Sequence, residues 1–197
     1  MSPARSWPPL DTLRRGSAFA CLDFVNSEWT DWRGQGPPTD RIDSREWWRR
    51  FFANWGFGAT GLTAPSGARL RELEHLRALM RAAIEKGRMP SASEVMWLNR
   101  RLADAPQRWL LAGGRTRVDS RLVPARVTWA AVTAALILSF GELLNDAERS
   151  RLRRCANPDC SYLFYDESDN RSRRWCFTNV CGNLMHVRAF RAKSSTA

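Results

Sequence analysis

Near its C-terminal end the chain carries Cys155, Cys160, Cys176 and Cys181 in the spacing C-x4-C-x15-C-x4-C. Two matched thiol pairs at this separation can converge on one Zn²⁺, and four thiolates complete its tetrahedral shell. A filled shell leaves no open position for water or substrate, so the expected cofactor is one structural Zn²⁺. His186 is a further candidate ligand that four thiols make redundant. The Ala-Asn-Pro-Asp stretch between Cys155 and Cys160 favours a tight turn that brings two sulfurs together. Gly182 follows Cys181 directly and is expected to let backbone N–H groups approach the sulfur.

The surroundings of the cysteines are strongly basic. Over the whole chain 31 Lys and Arg stand against 20 Asp and Glu, a net charge of +11. Such a balance favours polyanions as partners, and arginine grips phosphate with two donors at once. Arg171, Arg173, Arg174, Arg188, Arg191 and Lys193 lie between and after the cysteines, with Trp175 and Phe177 interleaved. Basic side chains on a metal-pinned scaffold point to DNA or RNA. The competing interpretation is a solvated basic helix on a protein- or RNA-interaction module. A GC-rich genome, which encodes arginine wherever a basic surface residue is tolerated, accounts equally well for the charge of the N-terminal part.

Other chemistry is thinly represented. Two histidines permit no Ser/His/Asp arrangement, and the chain is not expected to be an enzyme. His75 stands alone on a charged helix and suits a structural role. Asp166, Ser168 and Asn170 imitate the start of a calcium loop, but Arg171 occupies the glycine position and Phe177 the glutamate position. Asp23 and Asn26, with tryptophans nearby, could line a small-molecule pocket or simply cap and tie the core. Cys21 between Ala20 and Leu22 suits a buried apolar thiol.

Five cysteines cannot all pair, and the first residues carry no secretory signal. The longest apolar stretch, within 129–140, is too short to span a bilayer. A reducing cytoplasmic setting without membrane contact follows. There, paired Cys-x4-Cys knuckles signal metal rather than disulfides.

The elements that must position these residues are mostly helical. Residues 1–16 form a lead-in, and 18–29 a short helix. Ser44 caps a helix through Asn54 with Gly56 as its stop. Leu70, Leu73, Leu76, Met80 and Ile84 stripe a helix over 69–86, ended by Gly87. Ser91 and Glu94 form a capping box for a helix to Ala103. Two strands over 108–112 and 115–123 flank Gly113-Gly114 as a hairpin. Val127 to Leu144 is apolar on most faces and is expected to be the central helix. Most of the ten tryptophans are expected in the core. Tyr162 to Tyr165 is a strand. Leu184 opens a last helix on which Leu184, Val187 and Phe190 face inward and Arg188, Arg191 and Lys193 face solvent. The fold class is therefore mainly α with a small β-hairpin. An α-rich domain over 1–148 precedes a small treble-clef-like four-cysteine finger over 149–197.

The string RRCANPDCSYLFYDESDNRSRRWCFTNVCGN resembles the CGNR zinc-finger family. Both C-x4-C pairs, the Phe164–Asp166–Ser168 segment, Arg173-Arg174-Trp175-Cys176 and Cys181-Gly182-Asn183 carry the resemblance. Leu22-Asp23-Phe24-Val25-Asn26 and Thr128-Trp129 extend it to the N-terminal region, which is similar to the ABATE domain. The resemblance implies a bacterial stress-responsive transcription regulator. Its finger would bind DNA, and its N-terminal domain would sense an unknown small-molecule effector or form a homodimer. The family motif ends in Arg where this chain has Leu184. If that arginine contacts phosphate, the change removes a contact, with Arg188 and Arg191 one and two turns further on; if it only closes the helix start, the change is mild.

Overall fold

Three amphipathic helices, one helix covered on nearly every face and one short buried helix build the body of the protein. The structure is a computed structural model and describes residues 14–15, 18–57, 61–113, 116, 118–147 and 149–194. Most of the expected lead-in and Gly114 of the hairpin turn lie outside the described residues. In chain order the helices are α1 (Ala20–Val25), α2 (Arg45–Trp55), α3 (Gly67–Glu85), α4 (Ala92–Ala103), α5 (Trp129–Asn145) and α6 (Asn183–Ser194). The strands form four antiparallel pairs: β1 (Arg14–Arg15) with β2 (Ala18–Phe19), β3 (Glu28–Trp29) with β4 (Thr39–Asp40), β5 (Gln107–Gly113) with β6 (Val118–Pro124), and β7 (Leu152–Arg154) with β8 (Leu163–Tyr165).

Local signals set the helix ends. Ser44 Oγ accepts from the Trp47 N–H, and Gly56 closes α2 at φ 72° in the left-handed region that glycine enters without cost. The Ser91–Glu94 capping box opens α4 as expected. Thr128 Oγ1 accepts from the Ala131 N–H and opens α5. α5 buries Val132, Leu136, Phe140 and Leu143 against α1, α3 and α4. α3 contributes Leu73, Leu76 and Met80. Trp48 of α2 is packed edge-on against Trp47 and Trp129, and its indole N–H donates to the Ile42 carbonyl at 2.6 Å. Only Trp48 and Trp55 are buried among the described tryptophans, and most of the others are half-buried. A large ring with one N–H is satisfied at the rim of a core, with one edge in reach of a carbonyl.

Two expectations need correction. The early helix is confined to α1, because from Glu28 the chain leaves the helix to pair with β4. On α6, Val187 and Phe190 do not face inward: they are 46 % and 71 % exposed, because this helix projects beyond the body. Only Leu184, Met185 and Arg188 of α6 are half-buried.

The C-terminal segment is tied into the body. Leu163 and Tyr165 of β8 belong to the same apolar core as α1, α3 and α5. Arg81 of α3 donates to the Val25 carbonyl at 2.8 Å and to the Ser161 carbonyl at 3.0 Å, bridging α1 and the approach to β8. No helix among the described residues is long and apolar enough to cross a membrane.

Candidate metal centre

β7 and β8 form a hairpin whose connection holds Cys155 and Cys160. Asn157 shapes this knuckle: its side-chain oxygen accepts from the Asp159 N–H at 3.2 Å, and its carbonyl accepts from the Cys160 N–H at 3.0 Å. Cys176 and Cys181 belong to a second knuckle, in which a wide turn over Thr178–Gly182 runs straight into α6. The Phe177 carbonyl accepts from both Val180 and Gly182 and closes that turn. The order of hairpin knuckle, loop, and knuckle opening a helix is the treble-clef arrangement expected from the sequence.

The four sulfurs lie within 4.8 Å of one another, and all four cysteines are buried. A Zn–S bond of about 2.3 Å in a tetrahedron sets neighbouring sulfurs about 3.8 Å apart. Cys160 and Cys176 are 3.8 Å apart and Cys176 and Cys181 3.5 Å, so the cluster has the size of a filled zinc site. The backbone N–H of Cys176 donates to Cys155 Sγ at 3.4 Å, and the Asn157 amide to Cys181 Sγ at 3.5 Å. Such donors spread thiolate charge away from the metal.

Four thiols so close cannot ionise independently. The hydrogen bond shared between Cys160 and Cys176 lowers the Cys160 thiol to about 6. Cys176 is pushed far up by the same contact and by burial. Burial raises Cys181 to about 11, against the pull of Asn157. Only a cation can hold all four as thiolates, which is the chemistry a structural Zn²⁺ supplies. The four cysteines form a single zinc site.

Residues around the four ligands complete the centre. The Asn157 amide also donates to the Trp32 carbonyl at 2.7 Å, coupling the 31–36 loop to the metal ligands. Gly182 is explained by packing: a Cβ there would stand 3.1 Å from the Trp175 ring. Its N–H is spent on Phe177 rather than on sulfur, contrary to expectation. Asp166 is buried and closes the 166–173 loop, accepting from Ser168 at 3.0 and 2.6 Å and from the Arg173 N–H at 3.1 Å.

The basic residues divide into two groups. Arg173 donates to the carbonyls of Trp175 and Cys176 and lies 4.5 Å over the Phe164 ring. Arg188 pairs with Asp159 at 2.6 Å and reaches the Arg33 carbonyl at 3.0 Å. Both are engaged within the fold. Arg171, Arg174, Arg191 and Lys193 are exposed, as is Arg154 immediately before Cys155; Arg171 also donates to Ser150 Oγ at 3.4 Å, and Arg174 lies 5.1 Å over the Trp175 ring. Leu184 is half-buried in the first turn of α6.

Asp23 and Asn26 both line a cleft of about 570 Å³ between the helical body and the finger. Asn26 is committed to β8: its amide donates to the Leu163 carbonyl at 2.8 Å, and its oxygen accepts from the Leu163 N–H at 2.9 Å. Asp23 accepts from the Trp55 indole at 3.0 Å. His75 is exposed and stacks edge-on against Trp97 at 4.7 Å, away from the metal. Cys21 is fully buried, and burial raises its thiol to about 12.

Residues 151–194 match the CGNR zinc finger family. Residues 19–147, more than half of the chain, match the ABATE family, described as "Putative stress-induced transcription regulator". No curated protein matches the chain.

Proposed function

This chain belongs to the ABATE family and ends in a CGNR zinc finger, and we propose that it is a DNA-binding transcription regulator whose N-terminal region senses an effector. One observation carries the DNA-binding part. Residues 149–194 hold ten basic and four acidic side chains, and the cations Arg154, Arg171, Arg174, Arg191 and Lys193 are exposed on the segment that carries the four buried cysteines. The centre supplies rigidity and the cations supply phosphate contacts. Arg173 and Arg188 hold the scaffold that presents them.

Titration with genomic fragments at several salt concentrations tests this function. Neutralising five phosphates gives a slope of log K against log salt of roughly −4.5, from about −0.9 per contact. Chelating the zinc should abolish the binding. Weak binding that neither salt nor chelation changes would overturn the proposal.

A second function has its own support. Val187 and Phe190 of α6 are exposed apolar side chains beside the cations, which suits a zinc-stabilised protein- or RNA-interaction module. A flat affinity for all DNA sequences together with a co-purifying partner would favour it.

A further inference from the structure

The cleft between body and finger has walls that none of the functions above uses. Its volume of about 570 Å³ falls within the span of about 300–1,000 Å³ typical of small-molecule sites. Phe177, 50 % exposed, offers open aromatic surface, while Trp55 and Phe164 line the wall as buried rings, Phe164 beneath Arg173. Polar groups without partners meet there. Asp23 spends Oδ2 on Trp55, while Oδ1 accepts no hydrogen bond among the described residues. The Asn54 amide and the Tyr162 hydroxyl also line the cleft and make no hydrogen bond among the described residues. The other charged group at the wall, Arg173, turns Nε and Nη2 toward the Trp175 and Cys176 carbonyls. The open charged acceptor is thus a carboxylate set among aromatic rings, a combination that attracts cations.

We propose that this cleft binds a flat aromatic molecule carrying a cationic nitrogen, and that its occupancy steadies the zinc finger. The nitrogen would meet Asp23, and the ring would lie among Trp55, Tyr162 and Phe177. Calling the ligand an effector rests on the regulator function proposed above; the binding site does not. The coupling is structural. One side of the cleft is the finger itself, and two of its residues reach the metal ligands. Arg173 holds the Cys176 carbonyl, and the Phe177 carbonyl closes the turn that carries Cys181. A ligand seated against both sides binds only while the finger is docked. By mass action it then slows every opening that exposes the zinc.

The experiment uses the zinc-loaded full chain with tryptamine as probe and indole-3-acetate as its anionic counterpart. Binding is followed by isothermal titration calorimetry, and zinc loss by transfer to a coloured chelator. Tryptamine should bind with a Kd below about 1 mM, and indole-3-acetate should not. At about ten times its Kd, tryptamine should slow zinc transfer about tenfold. Ala53→Trp, at an exposed helix position lining the cleft, should keep its zinc and lose tryptamine binding. Asp23→Asn keeps an acceptor for Trp55, removes the charge, and should weaken tryptamine at least tenfold. Equal binding of both probes, undiminished binding by Ala53→Trp, or zinc transfer indifferent to tryptamine would overturn the proposal. Neither readout involves DNA, so a failure of DNA binding alongside these results would remove only the regulator function.

Discussion

Asn26 and Leu163, 137 positions apart, exchange two hydrogen bonds as neighbouring strands do: amide to carbonyl at 2.8 Å and N–H to side-chain oxygen at 2.9 Å. The side chain of one residue at the end of α1 thus serves as the pairing edge for β8. This contact, with Arg81 reaching the Ser161 carbonyl, makes the finger continuous with the helical core.

Asn26→Ala should leave both backbone groups of Leu163 buried and unpaired. Each such group costs about 1–3 kcal/mol, so the variant should lose about 2–6 kcal/mol in urea unfolding. Asn26→Asp can still accept from the Leu163 N–H but sets a carboxylate against its carbonyl, and should recover little. A loss below about 0.5 kcal/mol would show that water replaces the pair.

Gly182→Ala should strain the second knuckle. Its Cβ would meet the Trp175 ring at 3.1 Å, and overpacking of a well-filled site costs about 1–3 kcal/mol. Protease resistance of the finger should fall. Adding Trp175→Leu should recover part of the loss, whereas if the double variant is worse than Gly182→Ala alone, ring contact is not the cause.

Much of this was legible from the sequence because it rests on local rules. Ser44, Gly56 and the Ser91–Glu94 box mark helix ends by interactions spanning a few residues. The cysteine spacing identifies the ligands for the same reason. What escaped is long-range. Nothing local in Asn157 reveals that its amide joins Trp32 to Cys181, and nothing in Asp23 reveals that finger residues form the opposite wall of its cleft. The inward face assigned to Val187 and Phe190 failed because helical spacing identifies a stripe but not whether a body lies opposite it.

Arginines that look alike in sequence should separate in solution. Arg174→Ala should reduce the salt slope of DNA binding by about 1 and leave stability within about 0.5 kcal/mol. Arg173→Ala removes bonds to two carbonyls beside a zinc ligand and should instead speed zinc loss. If Arg173→Ala changed only the slope, its role would be contact with phosphate.

The Asp40–Arg77 pair sets a pH dependence in the helical body. Partial burial pushes the Asp40 carboxyl up, but the hydrogen bonds from Arg77 and from the Ile42 and Arg41 N–H groups, with the Arg77 charge, together outweigh it and hold the group below its usual value. A depressed folded value means that the contribution is complete above the ordinary carboxylate pKa near 4 and is lost as pH falls through the lower, folded value. Asp40→Asn should lower stability at pH 7 and flatten its decline below about pH 4. Parallel curves for the two proteins would assign the acid limb to other carboxylates.

Everything proposed for the finger depends on four thiolates around one ion. X-ray absorption at the zinc edge of the purified full chain measures that shell directly. With one zinc per chain by elemental analysis, it should show four sulfurs at about 2.3 Å and no nitrogen or oxygen neighbour. A shell with an imidazole or water in it, or a chain that folds and resists protease equally well without metal, would contradict the closed structural centre on which the account is built.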